Sequence, residues 1–325
     1  MKIMKKKRWC WIMTGTAVIM FWGFLMLCCV GDNENKAERY RVTAILPAKS
    51  NGIYWKEVVA GIEEAADDID VDLSIIYTEA YNNYPAIDLN SALEMTILYQ
   101  ADAVIVSYSR NANERTDELL REAKEKGIKI VMIDNDVSEE LKNTCVSIDN
   151  VKAGSELARL ALEDTDKSGT ALLIYSVENM RMSNMELRME GIEQMFEEEG
   201  KKNLILLPME EQSDVRKVEL LRKTLEQNPK TDVIFTLSEG STKNVVQCLS
   251  QVEFADQIEV FGFDYTDETA DLLEKGKVSV LVGQEQKQMG YESLNTAVKL
   301  QNEECEQVFI DYQIYSNLMG ENEGN

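Results

Sequence analysis

Histidine is absent from all 325 residues. Its absence removes Ser-His-Asp and Cys-His nucleophilic catalysis, the HExxH zinc site and most histidine general-base mechanisms. Cysteine is scarce as well: of six, only Cys145, Cys248 and Cys305 lie beyond the first 30 residues. An odd number with no CxxC spacing makes neither a disulfide framework nor a zinc site, and points to ordinary part-buried thiols. No GxxxxGK[ST] loop is present to hold nucleotide phosphates, and no GxGxxG follows an apolar run. Paired carboxylates do occur, at Glu63-Glu64, Asp67-Asp68 and Glu197–Glu199, but they fall on expected helix surfaces. Solvation explains them better than glycosidase chemistry. An enzyme is therefore not expected, nor a cofactor or a metal.

Positive charge is also short. Thirty-four Lys and Arg stand against 58 Asp and Glu, for a net charge of −24. The first 30 residues hold five of the basic residues (Lys2, Lys5, Lys6, Lys7, Arg8) and no acidic one, which leaves 29 against 58, or −29, in the remainder. Such a surface repels nucleic acid and anionic membranes, so no nucleic-acid partner is expected. Behind the basic start, Trp9–Val30 carries no charge over 22 residues. As a helix that run measures about 33 Å, against a hydrocarbon core of about 30 Å. It reads as a membrane anchor with its N-terminus in the cytoplasm. The competing reading is a lipoprotein signal lipidated at Cys28 or Cys29, with a bulky Leu27 where a small residue is usual. Both place the rest of the chain outside the cytoplasm, tethered to the cell membrane behind a polar linker at 31–37.

Beyond the linker, short apolar runs alternate with amphipathic stretches. Strand Arg41–Leu46 leads through Pro47, Asn51 and Gly52 into a helix marked by Val58, Ile62 and Ala65. Strands at Asp72–Tyr77, Ala103–Ser107, Lys129–Ile133 and Cys145–Ile148 follow, with helices through Leu89–Leu98, Asn113–Lys126 and from Val151. A second series repeats the pattern: strands Thr170–Tyr175, Asn203–Leu207, Asp232–Thr236, Glu259–Phe263, Ser279–Val282 and Val308–Ile314. Its helices run over Leu187–Glu199, Asp214–Gln227, Thr242–Leu249, Asp267–Lys275 and Lys287–Leu300. Near-continuous apolar strands between helices predict parallel sheets covered on both faces, hence an α/β protein of two Rossmann-like lobes. In such folds ligands sit beyond the carboxyl ends of the strands. Tyr54 and Trp55 stand there as flat faces for a sugar, with Asn51 as hydrogen-bonding partner; Trp55 serves equally well as packing between helix and sheet.

The ordered stretches SNGIYWKEVVAGIEEAA, ADAVIVS, GIKIVMIDNDV, SIDNVKAG, LRMEGIEQMF, TDVIFTLSEGS and VFGFDYTDETADLLEKGKVSVLVGQEQKQMGYESL resemble the periplasmic sugar-binding proteins of the ribose and galactose type. That family shares its fold with the ligand-binding core of lactose-type repressors, and the resemblance runs from Arg41 to Leu318. It implies a type I periplasmic binding protein with a three-stranded hinge. The lobes would be 38–149 plus 285–307 and 150–284 plus 308–318, leaving a tail at 319–325. It implies that Asn51, Tyr54 and Trp55 supply an amide and stacking aromatics, and that Asp134 accepts from two hydroxyls. It further implies that Arg188 donates to sugar oxygens, and that Asp264 and Gln284 complete the site. Asn135 stands where the ribose type often has arginine, and Ser238-Glu239 stands where many members have Asn-Asp. Those departures, with a bulky loop over Ser176–Ser183, imply a ligand either altered or lost.

The expected partner is thus a sugar or polyol, with an ABC permease or a sensor kinase in the membrane to receive it. A transcription repressor fails, because a membrane segment occupies the place of a DNA-binding helix pair and the charge has the wrong sign.

Overall fold

The computed structural model describes residues 39–47, 53–78, 86–109, 111–164, 169–199, 203–209, 213–253 and 257–317. The Trp9–Val30 run, Cys28, Cys29 and Asn51 lie outside the described residues. Among the described residues, twelve strands form two six-stranded sheets. In the first are β1 (Tyr40–Leu46), β2 (Val71–Tyr77), β3 (Ala103–Val106), β4 (Lys129–Ile133), β5 (Thr144–Ser147) and β11 (Val308–Phe309). In the second are β6 (Thr170–Tyr175), β7 (Asn203–Pro208), β8 (Thr231–Thr236), β9 (Glu259–Phe263), β10 (Val280–Gln284) and β12 (Tyr312–Ser316).

The apolar runs become strands because both faces of each sheet are covered. All four residues of β3 are buried, as are Val42, Ala44, Ile45 and Leu46 of β1. One face of the first sheet packs against Val58 and Ile62, the other against Leu93, Leu119 and Leu120. The orders β11-β5-β4-β3-β1-β2 and β12-β10-β9-β8-β6-β7 are the same arrangement used twice. Each reverses direction beside its first strand, which is where an open α/β sheet leaves a crevice.

Nine helices are described: α1 (Ile53–Asp68), α2 (Leu89–Leu98), α3 (Glu114–Glu125), α4 (Asn150–Asp164), α5 (Ser183–Glu199), α6 (Asp214–Gln227), α7 (Glu239–Leu249), α8 (Asp267–Glu274) and α9 (Gln286–Lys299). Helix α4 packs closely on α5 at two glycines: a Cβ on Gly154 would lie 2.2 Å from the Arg188 carbonyl oxygen, and one on Gly191 2.0 Å from that of Val151. This approach fixes the depth at which α5 carries its inward side chains.

Two expectations need correction. The closing stretch Val308–Ile314 is two strands in different sheets, split at Ile310-Asp311. Nor are the sheets wholly parallel, since β12 runs antiparallel to β10. Strands of both sheets point their carboxyl ends at the space between them, so a chain running up β11 and onward must descend through the second sheet. The helices expected at Leu187 and Thr242 also start earlier, at Ser183 and Glu239; the latter is capped by Ser238, whose side chain and that of Ser241 bond reciprocally to each other's backbone N–H.

Candidate functional site

The carboxyl ends of β1, β3, β4, β8, β9 and β10 open onto a cavity of about 500 Å³ between the sheets. Two aspartates mark equivalent places in it. Asp134 follows β4 and Asp264 follows β9, with φ of 68° and 70°. Each N–H reaches across to the next strand, to Val146 O at 2.9 Å and to Val282 O at 2.8 Å. Aspartate is among the few side chains that tolerate a left-handed backbone, so both carboxylates are turned out of the sheet into the cleft.

Asp134 is 7% exposed and densely bonded. Its Oδ1 accepts from the Tyr54 hydroxyl at 3.0 Å, and its Oδ2 from the Asn135 and Asn184 amides, each at 3.0 Å. Burial raises the Asp134 carboxyl above the usual range, opposed by the Arg188 charge and the Tyr54 bond. Burial, and then the neighbouring Asp134 charge, likewise holds the Tyr54 hydroxyl well above its ordinary value. Tyr54 meets Trp55 edge-on, ring centroids 5.1 Å apart, and both border the cavity while packing on the core.

Asp264 is held from three sides. The Gln284 amide donates to Oδ1 at 2.9 Å, the Glu239 N–H to Oδ2 at 3.1 Å, and Arg188 Nη1 lies 3.7 Å from Oδ1. Because the Glu239 N–H belongs to the first turn of α7, the helix dipole favours the carboxylate. Although it lies on a helix, Arg188 is buried, at 1% exposed. Its Nε donates to Asn150 Oδ1 at 2.9 Å, its Nη1 to the Leu237 carbonyl at 2.7 Å, and the guanidinium lies 4.3 Å over the Phe263 ring.

The structure therefore brings together eight of the nine candidates: Tyr54, Trp55, Asp134, Asn135, Arg188, Glu239, Asp264 and Gln284 all border one cavity. Asn135 and Gln284 act on the aspartates rather than standing free. Glu239 accepts from Thr266 Oγ1 at 3.2 Å and Lys243 Nζ at 3.1 Å, while Ser238 is occupied as a helix cap.

Sequence reasoning missed Asn184, which joins the two sheets. Besides its bond to Asp134, its N–H donates to Asn135 Oδ1 at 3.4 Å, and next to it the Asp136 N–H donates to Ser183 Oγ at 2.6 Å. The Ser183-Asn184 pair was legible as a helix start. The asparagines bordering the cavity, Asn90, Asn111, Asn113 and Asn179, carry no spacing signal. Among the described residues, no group of three or more Cys, Asp or Glu could hold a metal, and no helix is long and apolar enough to cross a membrane.

The family described as periplasmic binding protein domain matches residues 42–304. The ABC transporter periplasmic-binding protein YphF of Escherichia coli (strain K12) is 26% identical over 269 residues, 78% of each chain. A solved ABC transporter solute binding protein from Burkholderia graminis C4D1M, in complex with D-arabinose, is similar with a TM-score of 0.73 at 18% identity, over 88% of this chain and 99% of that one. A chain of the XylFII-LytSN complex is similar with a TM-score of 0.68 at 20% identity, over 85% and 98%.

Proposed function

Because the chain belongs to the periplasmic binding protein domain family, we propose that it captures a sugar or polyol between its lobes by hinge closure and delivers it to an ABC importer. The observation that supports this most is the convergence of Asp134 and Asp264, one from each sheet, on one cavity beside Tyr54, Trp55 and Arg188. Carboxylates accept from neighbouring hydroxyls, and aromatic faces cover a sugar's C–H surface. The moving bodies are 39–149 plus 285–309 and 150–284 plus 312–317, the expected boundary at 307 shifting because β11 pairs with β5 in the first sheet. Three chain passages join them, after β5, after β10 and between β11 and β12. Few backbone torsions then need to change for the lobes to swing.

The Trp9–Val30 run tethers the protein outside the cytoplasm, as an uncleaved anchor or as a lipoprotein lipidated at Cys28 or Cys29. The reading is of a binder, with no bond made or broken. A thermal-shift screen of the full chain in mild detergent against pentoses, hexoses and polyols tests it. A ligand at about 100 times its dissociation constant adds about 2.7 kcal/mol, or about 5 °C in the melt. A flat panel across all three classes refutes sugar capture.

The XylFII-LytSN complex favours a second reading, a ligand-sensing input domain that reports occupancy to a membrane histidine kinase. Uptake measured after deletion of the gene separates the two: uptake is lost if the protein feeds an importer and retained if it only reports.

A further inference from the structure

The floor of the cleft holds more hydrogen-bond acceptors than donors. Asp134 is a buried carboxylate, Asp264 is another with its side chain 14% exposed, and Glu239 is a third at 24%. Arg188 is the one basic residue bordering the cavity among the described residues, and its Nε and Nη1 are directed to Asn150 and the Leu237 carbonyl. Asn184 supplies an independent sign. It is 2% exposed and borders the cavity, and while its Nδ2 donates to Asp134, its Oδ1 accepts from no donor. A buried carbonyl oxygen left without a donor is costly until something supplies one. Flipping the amide brings no relief, because its oxygen would then face the Asp134 carboxylate. Tyr54, Trp55 and Tyr108 border the same space, and aromatic faces attract cations.

We infer that the preferred ligand carries a protonated amine on a hydroxylated frame, an amino sugar or amino polyol, with the ammonium seated against Asp134 and Asn184 Oδ1. The inference rests on the solute-capture reading and narrows it. An ammonium brings three donors and a charge, which meets the orphan carbonyl and the carboxylate together; a hydroxyl brings one donor and no charge. Burial raises the Asp134 carboxyl above its usual range, and a cation beside it offsets that cost of ionisation. The same excess of acceptors disfavours sugar acids and sugar phosphates.

Isothermal titration of the full chain in mild detergent, at a pH where sugar amines are protonated, tests this with matched pairs. These are D-glucosamine with D-glucose, D-galactosamine with D-galactose and D-mannosamine with D-mannose, each beside its uncharged N-acetyl form. An amino sugar is expected to bind about tenfold or more tighter than its neutral parent, with the preference weakening as salt is added. Asp134→Asn keeps a side chain that tolerates the left-handed backbone and should bring the amine-to-parent ratio toward one. The unliganded melt of that variant checks its fold. A neutral parent that binds as tightly as its amine overturns the inference and leaves solute capture standing, and so does a preference undiminished in Asp134→Asn. Absence of binding by every amine and every parent overturns both.

Discussion

Replacing Arg188 with methionine separates a structural guanidinium from an ordinary surface one. Methionine retains much of the length and keeps apolar contact with Phe263, but it disturbs three groups: Asn150 Oδ1 and the Leu237 carbonyl lose their donor, and the Asp264 carboxylate loses the cation beside it. All three border a side chain only 1% exposed, so water cannot replace the lost donors without the cleft opening. Removing one partner of a buried ion pair costs about 3–5 kcal/mol, because the remaining charge stays desolvated. In a chain of this size that lowers the melt by about 10 °C. The assay is thermal and urea unfolding without ligand, in which the midpoint falls and the urea slope stays unchanged. Arg188→Lys should recover only part of the loss, since a single ammonium cannot span Asn150 and Leu237 as the planar fork does. A loss of about 1 kcal/mol or less in Arg188→Met, the range of exposed ion pairs, would refute the argument.

Asp264→Asn and Trp55→Ala should each weaken ligand binding by about 2–4 kcal/mol in titration calorimetry while the unliganded fold persists. Asparagine is the better probe at 264, because alanine would add strain at φ 70°. A large loss of unliganded stability in Trp55→Ala would instead assign that ring to packing. The raised Asp134 pKa means that the folded state holds this proton more tightly than the unfolded chain does. Its contribution is therefore present in acid and lost as pH rises through the folded-state value. Asp134→Asn should accordingly make the unliganded protein relatively more stable at neutral than at acidic pH, read from melts across that range; an unchanged profile counts against the burial argument. Gly154→Ala should cost about 1–3 kcal/mol in urea unfolding, since its Cβ would press on the Arg188 carbonyl oxygen at 2.2 Å and displace α5. A neutral outcome there would mean that the α4 and α5 contact yields easily.

Much of the fold was legible because burial leaves a local signature. The runs KIVMI and EVFGF read as strands buried on both faces, and both strands begin and end where expected. Lys287–Leu300 read as a helix to within one residue at each end. Boundaries failed where a cap decides them: the Ser238 and Ser241 pairing starts α7 three residues early, through hydrogen bonds that hydrophobic periodicity does not report. The closing segment failed for another reason. Val308–Ile314 is apolar at five of its seven positions and reads as one strand, but which sheet each half joins depends on where the two sheets lie.

The candidate site divides in the same way. Asp134 and Asp264 were visible from sequence because each follows an apolar strand directly, where packing gives no reason for a carboxylate. What their neighbours do was not visible. Arg188 lies 38 residues from Asn150, and Asn184 lies 50 from Asp134, so no local spacing ties either pair. Local residue order thus sufficed for strands, helices and the carboxyl-end aspartates, since these follow from short-range periodicity and from the cost of burying charge. Only tertiary packing decided that Arg188 is buried against Asn150, Leu237 and Phe263 and that the Asn184 carbonyl is left without a donor beside Asp134 of the other sheet, because those outcomes depend on atoms far apart in the chain.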